Sequence, residues 1–335
     1  MADTRSGRIR HGGNLRKAAH RFEIPLEDWL DLSTGINPLG YPVPSVPPDA
    51  WRRLPEDDDG LAACAARYYG AERVLPVAGS QAAIRALPVL LTRGVAAVAP
   101  LTYGEYAPAF RRAGHRIVTL DVNAQDLASE VGHVIVANPN NPTAEHVSRD
   151  TLLRWHAQLT KRGGTLVVDE AFADVDPSAS LADETARKGL VVLRSVGKFF
   201  GLAGIRAGLV LAAPALLHAL ADMLGAWTVG GPARHAVLAA FADETWQRET
   251  RERLHGDGSR LNALLAARGF EVHSMPLFSW MPTPRAESLQ HALAERGIWT
   301  RLFDLPDMTT SLRIGLPGTE GQWARFERAL AEVCA

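Results

Sequence analysis

Short runs of β-branched and aliphatic residues alternate along the first two thirds of the chain with amphipathic stretches of helical length. Most of these runs are apolar at every position, which is typical of strands covered by helices on both faces. Such an alternation predicts an α/β fold with a mainly parallel, seven-stranded sheet flanked by helices. The predicted strands are Val74–Val77, Val95–Val98, Arg116–Leu120, His133–Val136, Thr165–Val168, Val191–Leu193 and Leu209–Leu211.

The pattern divides the chain into three parts. Helices are predicted at Leu61–Tyr69, Gln81–Leu91 and Asp150–Arg162, within a large domain of residues 51–225. Long helical periods follow at Pro232–Glu252 and Gly258–Ala267, and strands are predicted near Phe278–Met281 and Ser311–Ile314. Residues 226–335 are therefore expected to form a smaller α+β domain. Residues 1–50 are expected to form an arm that contributes to the small domain and to a dimer interface. The Pro-rich segment from Asn37 to Pro55 is predicted to be extended, because its closely spaced prolines exclude long regular structure.

Charge and cysteine content exclude several classes of function. The 335 residues carry 36 Lys and Arg against 37 Asp and Glu, a net charge of −1, so no nucleic-acid partner is expected. Two cysteines cannot build a disulfide framework, which favours a cytoplasmic location. The beginning of the chain has no apolar core of a signal peptide, and the longest apolar stretch is interrupted by charged residues and proline. We expect neither a membrane span nor a metal site.

The polar residues that follow the predicted strands form an ordered series. It runs through Asn141-Pro142-Thr143, Asp169-Glu170-Ala171-Phe172, Ser195-Val196-Gly197-Lys198 and Arg206. Asp169 and Lys198 come just after two strands, at the edge where open parallel sheets bind ligands. A carboxylate and an amine are thus expected to face one bound cofactor.

This series resembles the fold-type I enzymes that use pyridoxal 5'-phosphate, the aspartate aminotransferase superfamily, over nearly the whole chain. The resemblance implies that Lys198 binds the cofactor aldehyde covalently and that Asp169 pairs with the pyridine nitrogen. Asn141 would donate a hydrogen bond to the ring hydroxyl, and Tyr103 would stack on the ring. The phosphate would be bound by residues at a helix start and by residues that follow one later strand, namely Gly79, Ser80, Gln81, Ser195 and Arg206.

Two further segments resemble the threonine-phosphate decarboxylases of cobalamin biosynthesis. They are His11-Gly12-Gly13-Asn14 and residues 33–40, and the lysine segment of residues 192–206 is similar too. The resemblance implies that Arg313 binds the substrate carboxylate and that His11, Ile36, Asn37 and Arg301 complete the substrate site. It also implies a homodimer, and decarboxylation of L-threonine O-3-phosphate to 1-aminopropan-2-ol phosphate for the cobalamin nucleotide loop.

Two other functions remain open on the residues alone. A histidinol-phosphate or other class I/II aminotransferase would use nearly the same residues, and a non-catalytic subunit of cobalamin assembly could keep the fold. The sequence also departs from the superfamily pattern at three positions. Ala144 replaces a common Gly, Phe172 replaces a Tyr that contacts the ring oxygen, and Leu54 replaces a Tyr that reaches the phosphate across the dimer. The loss at position 172 is expected to make Asn141 more important.

Overall fold

A computed structural model describes residues 12–306 and 308–334. The described chain forms two compact units, a larger one of Leu39–Arg253 and a smaller one that joins the residues up to Pro38 with those from Leu254 onward. The larger unit has a seven-stranded sheet, and the smaller unit has a four-stranded sheet and a two-stranded one.

The helices of the described residues, in chain order, are α1 (Leu15–Phe22), α2 (Pro48–Arg52), α3 (Leu61–Tyr69), α4 (Ser80–Leu90), α5 (Tyr106–Arg112), α6 (Arg149–Thr160), α7 (Pro214–Leu224), α8 (Gly231–Ala242), α9 (Glu244–Ala266), α10 (Ala286–Ala294) and α11 (Glu320–Cys334). The strands are β1 (Leu30–Asp31), β2 (Val74–Val77), β3 (Val95–Val98), β4 (Arg116–Thr119), β5 (Val131–Ala137), β6 (Thr165–Asp169), β7 (Leu190–Ser195), β8 (Gly208–Ala212), β9 (His273–Met275), β10 (Phe278–Pro282), β11 (Ile298–Trp299), β12 (Arg301–Phe303) and β13 (Ser311–Gly315). None of these helices is long and apolar enough to span a membrane.

The sheet of the larger unit confirms the predicted α/β class. Its strand order is β2-β8-β7-β6-β5-β3-β4, and all strands run parallel except β8, which is antiparallel to both neighbours. Strands β6, β7 and β8 pack on one face against α4, α5 and α7, while α6 packs against β5 and β6. All seven predicted strands form in this sheet. Those at its centre, such as β6, are buried along their whole length, as their apolar sequences predict. Its parallel strands end at one edge, where Asp169 and Ser195 lie.

The helix predicted through Pro232–Glu252 is interrupted, and the break predicted before Gly258 is wrong. Helix α8 ends at Ala242, because the Asp243 carboxylate accepts a hydrogen bond from the Trp246 amide at 3.0 Å and so caps the start of α9. Gly258 lies inside α9, where a Cβ would come within 2.8 Å of the Pro276 backbone. This glycine therefore permits a close approach and does not end a helix.

The two units divide at residues 38 and 253, whereas the sequence predicts boundaries at 50 and 225. The difference follows from the packing of α8 against α2 and α3. A Cβ at Gly231 would lie 2.2 Å from the Ala50 carbonyl oxygen, and Arg234 forms a two-pronged pair with Asp59 at 2.5 and 2.6 Å. These contacts join residues 39–50 and the whole of α8 to the larger unit. Residues 48–52 also form a short helix within the Pro-rich segment predicted as extended.

The smaller unit contains a four-stranded antiparallel sheet in the order β12-β13-β10-β9. Leu312 and Ile314 of β13 are buried, and helix α10 packs against β13 and α11. Alternation along β13 places Arg313 on the opposite face from these two residues. Its register partner on β12 is Arg301.

Candidate active site

Asp169 is the last residue of β6, a strand that is buried along its whole length. Its Oδ1 accepts a hydrogen bond from the Ala171 amide at 3.0 Å, and its Oδ2 accepts one from the Tyr106 hydroxyl at 2.7 Å. Burial raises the pKa of Asp169, whereas the two hydrogen bonds and the charge of Lys198 act in the opposite direction. The carboxylate is thus a buried acceptor that a cationic partner would stabilise further.

Lys198 follows β7, the neighbour of β6 in the sheet, and the β6–β7 register pairs Asp169 with Leu193. The lysine is half-buried, and its Nζ lies 5.4 Å from the centre of the Phe172 ring. The sheet therefore brings the predicted amine and carboxylate together, although 29 residues separate them in the sequence.

The start of α4 meets Arg206 at the same edge of the sheet. Gly79 has a φ of +75°, and a Cβ on it would lie 2.8 Å from Nη2 of Arg206. Gly208 allows β8 a similar approach, since a Cβ there would lie 2.4 Å from the Ser80 amide nitrogen. Glycine at both positions lets a guanidinium and the first amides of α4 share one small space. Amides at a helix start and a guanidinium are suited to a phosphate group.

Tyr103 lies beside this helix start. Its hydroxyl donates to Gln81 Oε1 at 2.9 Å, and its ring meets Tyr106 edge to face at 5.5 Å. Burial, together with the charges of Glu105 and Asp169, raises the pKa of Tyr103 to about 12. Two contacts therefore fix the ring, and its hydroxyl stays protonated at neutral pH.

Asn141 lies on the loop that follows β5, and its side chain is half-buried. The preceding Asn140 anchors this loop to the Tyr103 loop, because its side chain donates to the Leu101 carbonyl at 2.9 Å and accepts from the Thr102 hydroxyl at 2.7 Å. Ala144, at the position of the common glycine, adopts the left-handed φ of +61° that favours glycine. The turn thus keeps its conformation despite the substitution.

A buried ion pair that the sequence reasoning missed supports both strand ends. Glu170 and Arg194 are each almost inaccessible to solvent and lie 2.7 Å apart. Glu170 also accepts from the Ser180 hydroxyl at 2.6 Å and the Leu181 amide at 2.8 Å. Each partner is adjacent in sequence to a candidate site residue, Asp169 or Ser195. The available signal in the sequence is one charged residue next to each of two consecutive predicted strands, Thr165–Val168 and Val191–Leu193.

The smaller unit carries the predicted pair of arginines. Arg313 is buried, donates to the Ser33 carbonyl, and lies with its guanidinium 5.1 Å from the centre of the Phe278 ring. Burial and the like charge of Arg301 lower the pKa of Arg313 to about 9, against a smaller opposing influence of Asp31. Two neighbouring cations, one of them buried, make a site that an anionic ligand would stabilise.

The N-terminal segments pack around the same Ser33. The Gly13 amide donates to Ser33 Oγ at 2.7 Å, and Ser33 Oγ donates in turn to Asp31 at 2.6 Å. Among the other predicted substrate residues, Asn37 is buried and Ile36 is half-buried. His11 lies outside the described residues.

The amino-acid sequence matches one known protein family. Residues 54–330 match the family model for aminotransferase class I and II. The chain belongs to this aminotransferase family. The resemblance to the superfamily predicted from the sequence is thereby confirmed.

Individual relatives have more specific names than the family model. A threonine-phosphate decarboxylase of Pseudomonas aeruginosa is 50% identical over 96% of this chain and 97% of its own length. One from Sinorhizobium sp is 42% identical, over 98% of this chain and 99% of its own length. The structure of histidinol-phosphate aminotransferase from Sinorhizobium meliloti in complex with pyridoxal-5'-phosphate has a TM-score of 0.80 at 17% identity, covering 99% of this chain and 98% of that chain. That last likeness is one of fold.

Proposed function

We propose that this chain is a pyridoxal 5'-phosphate-dependent decarboxylase that converts L-threonine O-3-phosphate to 1-aminopropan-2-ol phosphate and CO2. The observation that carries the substrate assignment is the full-length relatedness to two threonine-phosphate decarboxylases. The geometry of the larger unit supports the cofactor, and the paired arginines of the smaller unit support a substrate with more than one anionic group.

The residues of the larger unit fit pyridoxal 5'-phosphate. Gly79 and Gly208 let the Arg206 guanidinium and the first amides of α4 come together, and this set of donors suits a phosphate group. Asp169 is a buried acceptor for a protonated ring nitrogen, and Lys198 is an amine for the aldehyde. Residues around these would complete the cofactor site, namely Ser80, Gln81, Tyr103, Asn141, Phe172 and Ser195.

When bound, the cofactor supplies an electron sink for the electron pair that remains on the substrate Cα as the carboxylate leaves. Asp169 holds positive charge on the ring nitrogen, and its buried position keeps water from competing for that contact. Lys198 Nζ donates the proton that replaces the lost carboxylate on Cα. The bond that breaks must stand perpendicular to the ring plane, so the residues that orient the substrate decide the reaction.

Arg313 and Arg301 are the residues that orient the substrate in this proposal. A guanidinium presents a planar fork of N–H donors that matches a carboxylate or phosphate. If these residues anchor the substrate phosphate so that the Cα–carboxylate bond is the one presented for cleavage, decarboxylation would result, whereas presentation of the Cα–H bond would give transamination.

The reaction is tested by supplying the cofactor-loaded protein with L-threonine O-3-phosphate and measuring CO2. Stoichiometric CO2 and 1-aminopropan-2-ol phosphate are expected. Formation of a ketone with consumption of 2-oxoglutarate, and no CO2, would establish the aminotransferase instead. Failure of the protein to acquire visible cofactor absorption would favour the non-catalytic subunit.

Arg313→Lys is expected to lower kcat/KM for L-threonine O-3-phosphate by about ten- to a hundredfold, through a lower kcat as well as a higher KM, because Arg313 both binds and orients the substrate in this proposal. Lysine keeps the charge but loses the two-pronged geometry. Steady-state kinetics check the effect. Arg296→Lys is the matched control, because Arg296 forms an exposed pair with Glu332 in the same unit. Equal kcat/KM values for the two variants would show that Arg313 does not bind the substrate.

We also propose that the enzyme is a cytoplasmic homodimer that acts in cobalamin biosynthesis. Two free cysteines fit a reducing compartment. Trp51, Leu54 and Trp227 expose 69%, 64% and 60% of their surface. Helix α2, which carries Trp51, packs against α8. Helix α8 starts four residues after Trp227, so the two tryptophans lie in one region of the larger unit. Large apolar side chains grouped in this way indicate a protein interface, here with a second copy of the chain.

Trp227→Asp is expected to weaken the dimer by about 30-fold or more, because buried tryptophans at interfaces contribute about 2 kcal/mol or more. Sedimentation over a range of concentrations measures the change. The control Val89→Asp alters an equally exposed apolar residue on α4. A monomeric wild-type protein, or a dimer that both variants leave unchanged, would contradict the interface.

A further inference from the structure

The Asp169 carboxylate has a buried hydroxyl as its nearest side-chain donor. Tyr106 is the first residue of α5, only 1% of its surface is exposed, and its hydroxyl lies 2.7 Å from Asp169 Oδ2. The other oxygen, Oδ1, is occupied by the Ala171 amide. One backbone donor and one side-chain donor therefore fix both oxygens of this carboxylate.

The position of Tyr106 is itself fixed by packing. Its ring contacts Tyr103 edge to face and belongs to the apolar core that α4, α5 and α7 form on the sheet. Burial and the charge of Asp169 raise the pKa of Tyr106 well above its usual value, so the hydroxyl keeps its proton and acts as a donor at any physiological pH. Rotation of the Asp169 carboxylate would break this bond and leave a buried hydroxyl without its acceptor.

We infer that Tyr106 is a positioning residue of the proposed reaction: its hydroxyl holds the Asp169 carboxylate in one orientation and in its ionised form, ready to pair with the cofactor's ring nitrogen. The inference rests on the proposed function. It assigns the hydroxyl a purpose beyond core packing, because burial alone favours the neutral carboxyl, and a neutral carboxyl stabilises a cationic ring nitrogen poorly.

Tyr106→Phe tests the inference, since it removes one oxygen atom and keeps the ring. We expect kcat for decarboxylation to fall about ten- to a hundredfold, as for loss of a hydrogen bond to a charged group, with a much smaller change in KM. We also expect a shift in the pH dependence of the visible absorption of the bound cofactor. The midpoint of the absorption change should move to a higher pH. A ring that carries less positive charge repels the proton on Lys198 Nζ less. Borohydride labelling of Lys198 should persist.

Tyr69→Phe is the matched control, because it removes another buried tyrosine hydroxyl, one that neighbours Asp174. A thermal melt of each variant shows that it is folded. The control should keep the wild-type absorption profile and kcat. If Tyr106→Phe keeps them as well, while the wild-type enzyme binds the cofactor and releases CO2, the inference is overturned and the proposed function stands. If the wild-type protein shows no labelled Lys198, both fail together.

Discussion

Lys198→Ala is expected to lower kcat for decarboxylation of L-threonine O-3-phosphate by at least about 10⁴-fold. The variant loses both the amine that attaches the cofactor and the proton donor for the substrate Cα, and proton transfer alone is worth about 10²–10⁴-fold. Its fold should persist, because Lys198 is half-buried and follows the end of β7. CO2 release and the visible spectrum measure the effect.

The composition of the chain makes the labelling experiment decisive. The sequence contains four lysines, Lys17, Lys161, Lys188 and Lys198. Borohydride reduction of the cofactor-loaded protein, followed by peptide mapping, should mark the last of them. Lys161→Ala, at the end of α6, serves as the control and should retain both label and turnover. A label on any of the other three lysines would disprove the assignment of Lys198.

Arg194→Met is expected to lower the free energy of unfolding by about 3–5 kcal/mol, the usual result of removing one member of a buried ion pair. The Glu170 carboxylate would keep its bonds to Ser180 and Leu181 but lose the Arg194 guanidinium with which it pairs. Turnover should fall as well, because the pair ties together the strand ends that carry Asp169 and Ser195. Urea denaturation monitored by circular dichroism measures the stability change.

An exposed pair of the same chemistry provides the control. Arg187 lies 2.6 Å from Glu184, and more than half of its side chain is accessible to solvent. Arg187→Met should therefore change the free energy of unfolding by less than about 1 kcal/mol. Similar decreases in the free energy of unfolding for the two variants would mean that the buried Arg194 pair stabilises the fold no more than the exposed Arg187 pair does.

The sequence predicts the central sheet well and the long-range contacts of the site poorly. All seven strands of the larger sheet are recognisable, most of them because a strand covered on both faces is apolar along nearly its whole length. The edge strand β4 has exposed Arg116 and Thr119 at its ends and is recognisable from its β-branched residues instead. The break at Asp243 depends on one capping carboxylate, and the continuity of α9 through Gly258 depends on the nearby Pro276 backbone. The hydrophobic periodicity of the sequence reveals neither effect, so the predicted helix limits at these two positions are wrong.

The same distinction applies to the candidate site. Asp169 and Lys198 are recognisable because each follows a predicted strand at the ligand-binding edge. Tyr106 has no such signal, since it starts a helix 63 residues before the carboxylate that it contacts. The contact between Arg313 and the Ser33 carbonyl spans 280 residues and depends on the fold of the smaller unit. Only the tertiary structure shows which hydrogen-bond partners hold these two charged side chains in place.

The reversed direction of β8 has a practical consequence for protein engineering. Because Ser195 at the end of β7 pairs with Gly208 at the start of β8, residues 196–207 leave the sheet and return to it at one edge. One contiguous segment therefore encodes Lys198, the Arg206 that we propose to bind the phosphate, and the turn that spaces them. Libraries confined to that segment could retune reactivity while both flanking strands anchor each variant in the same scaffold.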